Sequence, residues 1–172
     1  MDMLMIVLRT VHIVLGVLWA GWAFSLTLFV EPASRHAGPG AGPFMQALTT
    51  STPLVKVMIV VPLLVIASGL WMLWIVSGGL DAGWAASRHG MTLLIGSTVG
   101  ILAFAYGMAM VRPVAMKMGQ LSGEIMSGGK PPTAEQLSSL QTLKQHMRTR
   151  GRLIAIMLAI SVTLMAAVRY VV

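Results

Sequence analysis

The sequence predicts an all-α fold: a polytopic membrane protein, built as a four-transmembrane-helix bundle with a cytoplasmic helical hairpin extending helices three and four. Three observations predict it. Charged residues make up 10% of the 172-residue chain, and mean hydropathy is +0.83; soluble domains carry about 25% charged residues. Four apolar stretches reach the ~20 residues that a helix needs to cross a bilayer. The basic residues gather between these stretches, mostly on one side of them. A soluble fold of this size needs a polar surface that this composition cannot supply, and a hydrocarbon surround removes the need. The length suits one domain. With no cysteine, disulfides, iron–sulfur clusters and thiolate metal sites are excluded. The net charge of +7 lies between apolar spans, so anionic lipid headgroups explain it better than nucleic acid does.

The first span covers about residues 4–30. Thr10 to Val30 holds no formally charged residue, and Glu31-Pro32 is expected to close the helix, because a residue before proline is pushed out of the helical region. The stretch is too long for a cleaved signal peptide, and no small-residue cleavage site follows it. The second span covers about 53–76, with Thr52 as N-cap and Pro53 at the first helical position. Ser77-Gly78-Gly79 ends it. The third covers about 89–111, with a start that extends back toward Trp84 as an alternative. The fourth covers about 153–172, with Arg169 snorkelling from its last turn.

Lys and Arg placement orients the bundle. One side holds Arg9, Arg88 and Arg169; the other holds the remaining nine of the 12 basic residues. The basic side is expected to face the cytoplasm. That makes the chain a multi-pass protein of a bacterial inner membrane with both termini outside.

The longest loop, about 112–152, has helical periodicity. Val114, Met118, Leu121 and Ile125 form one stripe, and Leu137, Leu140, Leu143 and Met147 another. Between them, Ser127 to Pro132 reads as a turn, and Thr133 to Gln136 fits a capping box. An antiparallel hairpin is expected; an amphipathic stretch on the bilayer surface is the alternative. In the first loop, Gly38-Pro39-Gly40 and Pro43 mark a turn before one short helix near Phe44 to Thr49.

An ionisable residue inside a span is a functional candidate. His12 is the clearest, and Gly16, Ala20, Ala23 and Thr27 continue its helix face. In the third span His89 precedes Gly96, Gly100, Ala103 and Gly107 in the same way. Two readings stay open. Small residues let helices pack closely, with histidine hydrogen-bonding a neighbour. Alternatively, His12 and His89 are axial ligands of a haem b seated on Gly16 and Gly96, with Trp19 lining the pocket and Arg9, Arg88 and Arg169 pairing with propionates. His12 reads as the deeper of the two histidines.

The chain holds 15 Met. Met1, Met3 and Met5 with His12 suit Cu(I), whereas adaptable apolar filling explains methionine generally. The pairs Met108 with Met110 and Met116 with Met118 are poor chelates on a helix, where residues two apart do not face each other. The other tryptophans read as belt or packing residues, His36 and His146 as solvated. The five carboxylates all fall at span ends or in loops.

Thr10-Val11-His12-Ile13-Val14-Leu15-Gly16-Val17-Leu18-Trp19-Ala20-Gly21 resembles the first helix of the copper-resistance protein D (CopD)-like membrane proteins. Glu31-Pro32, Gly42-Pro43-Phe44, Ser68-Gly69-Leu70-Trp71 and Ala166-Ala167-Val168-Arg169-Tyr170 resemble small relatives of that group. The likeness covers most of the chain in layout, through short motifs. The wider group includes proteins linked to copper uptake and the haem-binding HemJ-type oxidases, which implies that His12 is a ligand. The lysine and arginine pattern of the HemJ-type enzymes is not evident here, and the resemblance does not carry their oxidase activity. The expectation is a haem b protein with an electron-transfer or redox role near the outer face, working with quinone or another redox partner. Copper handling is the alternative. A third reading is a non-catalytic subunit or assembly factor, as a homo-oligomer or within a larger membrane complex.

Overall fold

The computed structural model describes residues 3–129 and 131–171. Among them it is helical, with no strand. Six helices follow in order: α1 (Met3–His36), α2 (Ala41–Thr50), α3 (Leu54–Val76), α4 (Ala82–Ala86), α5 (Arg88–Ser127) and α6 (Ala134–Tyr170). α1, α3, α5 and α6 are long and apolar enough to cross a membrane, with peak mean hydropathy of 2.1, 2.5, 1.8 and 2.1. Met1 of the predicted methionine set, Lys130 of the predicted turn and Val172 at the predicted end of the fourth span lie outside the described residues.

α1 packs along α3, and α5 along α6. Contacts of α1 with α6 and of α3 with α5 close the square, which sets α1 and α5 on a diagonal. The Trp19 and Phe104 rings meet edge to face across that diagonal, with centroids 6.4 Å apart. Val61, Val65, Ala103 and Leu158 complete a small core. Large apolar side chains such as Val17, Phe29, Trp71 and Ile156 point outward and are exposed. Apolar faces of this kind suit a lipid bilayer.

The structure corrects the first span's expected end. α1 runs through Glu31-Pro32 to His36. The five residues Leu26–Val30 widen to a π-helical turn, and the Glu31 N–H reaches back to the Leu26 carbonyl. A proline ring in an α-helix collides with the carbonyl four residues earlier; a wider turn relieves that collision. The same device recurs in α5. Gly107–Val111 forms a π-helical turn, Arg112 N–H bonds Gly107 O, and Pro113 follows. Two helices that the prolines would break are thus continued.

Other starts and stops follow local chemistry. α3 starts at Leu54 with Pro53 as its N-cap, one residue later than the expected Thr52 cap, and Thr52 still accepts from Leu54 N–H at 3.3 Å. Gly78, Gly79 and Leu80 all take positive φ after α3. Asp81 caps α4 through Trp84 N–H, and Ser87 caps α5 through Gly90 N–H. Trp84 therefore belongs to a separate short helix, and the third span starts at Arg88. The capping box at Thr133 and Gln136 forms as expected.

The hairpin-end portion of α5, Arg112–Ser127, packs antiparallel against α6. Of the two predicted stripes, Val114 is buried and the other residues are half-buried, except for Leu137, which is exposed near the tip. At 1.5 Å per residue, the 40 residues of α5 run about 60 Å, twice the ~30 Å hydrocarbon thickness. A large part of α5 must therefore lie beyond any bilayer it enters. Near the membrane-length segment, close approach decides the packing. A Cβ on Gly96 would meet Leu164 at 3.3 Å, and one on Gly100 would meet the Ser161 hydroxyl at 3.1 Å. Ser161 in turn donates to the Gly96 carbonyl at 2.8 Å.

Gly90 sits under the α4–α5 elbow, where a Cβ would stand 2.0 Å from the Trp84 carbonyl oxygen, whereas Gly16 has nothing within 4 Å. Gly90→Ala is expected to lower stability by about 1–3 kcal/mol, and Gly16→Ala to leave it the same or raise it by up to about 1 kcal/mol. Thermal unfolding of both variants in detergent checks this.

Candidate functional site

Call the end of the bundle that holds Met3 and Tyr170 the terminal end, and the opposite end the hairpin end. The two ends carry different groups. At the terminal end His12 is tied to α3. Its Nδ1 lies 2.9 Å from the Val65 carbonyl and 3.2 Å from the Ser68 hydroxyl. The Ser68 hydroxyl donates to Leu64 O at 2.7 Å. A carbonyl only accepts, so the partner assigns the proton to Nδ1 and leaves the lone pair on Nε2. The ring lies over Gly69, where a Cβ would come within 2.8 Å of Cε1. The glycine in Ser68-Gly69-Leu70-Trp71 is therefore the hollow that receives His12.

The other residues read from the sequence do not gather around that ring. Two register points fix depth: Thr27 of α1 lies opposite Gly151 of α6, and Gly96 of α5 opposite Leu164. Counting along the helices from these points, His89 lies about 7 Å closer to the terminal end than His12. His89 is half-buried at the start of α5, on the diagonal from α1. Gly96, offered above as a haem seat, is filled by Leu164 and Met165. Gly16 stays clear of close neighbours. Arg9, Arg88 and Arg169 are exposed, and the Arg169 guanidinium stacks over Tyr170 at 5.3 Å. Trp19 is in the core and lines the cleft at the hairpin end. Two axial ligands must reach one iron from opposite faces. This arrangement of His12, His89 and Gly96 does not fit a two-histidine haem site.

The hairpin end holds a cleft of about 390 Å³, which sequence reasoning missed. Trp19, Ala103 and Phe104 form its floor. Trp22, Leu26, Met58 and Met108 line the walls, and α2 contributes Met45. Met108 and Met118 face the cleft, while Met110 and Met116 are exposed on other faces. Each i, i+2 pair is thus split, as helix geometry requires. The mouth carries Glu31 against four cations, Arg112, Lys144, Arg148 and Arg152.

Glu31 was expected at a span end. The π-helical turn keeps it inside α1 and on the cleft face. Its Oε1 lies 3.7 Å from Arg148 Nε and 4.0 Å from an Arg35 nitrogen, contacts too long for strong hydrogen bonds. Glu31 Oε2, Arg148 Nε and Trp22 Nε1 are buried and have no hydrogen-bond partner among the described residues. Such groups are costly to bury, and all three belong to side chains that line this one cleft. Arg150 donates to the Met110 carbonyl and fixes α6 against α5 beside it. A mouth with excess positive charge over an apolar, methionine-rich floor can hold a molecule with an anionic group and an apolar body.

Searches of protein-family models, curated proteins and solved structures find no match to this chain. The CopD-like resemblance therefore rests on the residues quoted above.

The His12–Gly69 contact gives a double-mutant test. His12→Ala is expected to destabilise by about 1–2 kcal/mol, through loss of an interhelical bond and its packing. Gly69→Ala should destabilise the parent protein but not His12→Ala, because the colliding ring is then absent. Melting temperatures of the four proteins measure the coupling.

Proposed function

We propose that this is a four-span integral membrane protein that binds an amphipathic anion in the hairpin-end cleft. In this reading the hairpin and the cleft mouth face the cytoplasm, and both termini lie on the opposite side. The charge bias of nine basic residues against three supports the orientation. The cleft carries the functional reading: its apolar floor of Trp19, Ala103 and Phe104 opens onto Arg112, Lys144, Arg148 and Arg152. An anionic group at the mouth gains charge-assisted contacts, and its apolar part leaves water. The activity is binding and presentation of that molecule within the membrane.

Native mass spectrometry after extraction in mild detergent tests the reading. The expected result is a retained amphiphile that is lost in an Arg148→Gln, Arg152→Gln double variant of unchanged melting temperature. A bare protein that takes up no anionic amphiphile would sink the idea. For orientation, reporter fusions at either terminus should be active outside the cell, and one inserted at the hairpin tip active inside.

A second reading keeps haem b and a redox role, with His12 as its protein ligand. One observation favours it: Nδ1–H is held by a backbone carbonyl, which leaves Nε2 free, an arrangement that orients ligating histidines. The poor position of His89 confines this reading to one protein ligand. Bound haem would supply one-electron transfer. A reduced-minus-oxidised spectrum should show haem bands that His12→Ala abolishes; absence of bands from protein produced with ample haem would overturn it. Metal analysis of the same sample reads the copper alternative, which rests on His12, Met3 and Met5.

A further inference from the structure

The cleft is lined at two depths by different chemistry. At the mouth, Glu31 of α1 meets Arg148 of α6 at 3.7 Å. One turn deeper, Thr27 stands opposite Gly151, where a Cβ would come within 3.9 Å of the threonine hydroxyl. α1 and α6 are thus antiparallel and in register here, and Arg148 and Arg152 bracket the level from Glu31 to Thr27. Both cations line the cleft. Trp22 lies five residues beyond Thr27, which is about 7 Å deeper along the helix.

Trp22 differs from the rest of the deep lining. Its indole N–H is a donor only, is buried, and has no acceptor among the described residues. A tryptophan used purely as apolar lining would leave that donor unsatisfied at a cost comparable to a lost hydrogen bond. The ligand that completes this cleft therefore needs three features in order. It needs an anionic group at the arginine level, a neutral hydrogen-bond acceptor about one and a half turns deeper, and an apolar remainder beyond.

We propose that the occupant is an anionic diacyl glycerophospholipid, with its phosphate between Arg148 and Arg152 and an acyl-ester carbonyl accepting from Trp22 Nε1. This rests on the amphipathic-anion reading above and names its ligand class. A glycerophospholipid presents the required order: a phosphodiester anion, ester carbonyls one glycerol unit away, then hydrocarbon. A free fatty acid has its only carbonyl oxygens in the anionic group itself and nothing for Trp22. A quinone offers carbonyls but no anion for the arginines. The site is an open cleft rather than a closed chamber, so chains longer than its floor continue into the surrounding apolar phase. Met45, Met58 and Met108 supply flexible side chains that adapt to chains of different shape.

The test compares the full chain, in mild detergent, with three probes: ester-linked dipalmitoyl phosphatidylglycerol, its ether-linked analogue without carbonyls, and dipalmitoyl phosphatidylcholine. Binding is read by native mass spectrometry titration. The ester phosphatidylglycerol is expected to bind about fivefold more tightly than the ether analogue, the effect of one hydrogen bond, and more tightly than the zwitterionic lipid. Trp22→Phe should weaken the ester lipid by the same factor and leave the ether lipid unchanged. Equal binding of ester and ether forms by the parent protein, with phosphatidylglycerol still preferred over phosphatidylcholine, would overturn the ester contact and leave the broader anion reading standing. Absence of saturable binding by every probe would remove both. The ester-to-ether comparison on the unaltered chain needs no variant to fold.

Discussion

Helices with apolar outer faces have no strong hydrophobic reason to adhere to one another when their surroundings are also apolar. What holds such a bundle is close backbone approach and interhelical hydrogen bonding. In this protein that constraint is met at the α5–α6 contact, where Gly96 and Gly100 admit α6 and the Ser161 hydroxyl reaches the Gly96 carbonyl. The α1–α3 pair repeats the solution with different chemistry, since Gly69 admits the His12 ring and Val65 O accepts a hydrogen bond from its Nδ1–H. Each pair joins glycine hollows to hydrogen bonding across them. The small core of Trp19, Val61, Val65, Ala103 and Leu158 then joins the two pairs.

The two π-helical turns adapt this frame to its hairpin end. Each precedes a charged residue followed by proline, Glu31-Pro32 in α1 and Arg112-Pro113 in α5. Widening the helix before the proline keeps both helices continuous and shifts the face that follows. Glu31 and Arg112 consequently reach the same cleft from opposite corners of the bundle. π-helical turns are frequent at functional sites, and here they stand at the boundary between apolar floor and charged mouth. The charged mouth and the deep indole donor become one site only because α1 and α6 hold their antiparallel register.

Much of the fold was legible because the physics behind it is local. Stretches of some twenty apolar residues, the Gly78-Gly79 stop, the capping box at Thr133 and the paired stripes of the hairpin are all read from neighbours in sequence. The end of α1 was misread for a comparable reason: proline has a strong local preference against helix, and in α1 the widened turn accommodates it. At the site, His12 was visible because an ionisable residue inside an apolar span stands out. Its pairing with Ser68 and Gly69 was not, since it depends on the register of two separate helices. Trp22, Arg148 and Arg152 carried no distinguishing signal. A tryptophan near a span end and arginines after a loop are what any membrane anchor looks like. The one sequence clue was the repetition of a charged residue before proline, in Glu31-Pro32 and Arg112-Pro113.

The sequence by itself determined that the chain is all-helical, that four helices are long and apolar, and that its basic residues concentrate at one end. These depend on composition, on the spacing of apolar residues and on which side of each span a charge falls, none of which requires tertiary contacts. Only the tertiary structure decided which small residues are hollows for a neighbour and which, like Gly16, are not. It also decided that His12 turns to α3 rather than toward His89. Finally, it brought Trp22, Glu31, Arg148 and Arg152 to a common cleft. The physical reason is register: sliding one helix past another by a single turn leaves every sequence pattern intact and gives each side chain a different partner.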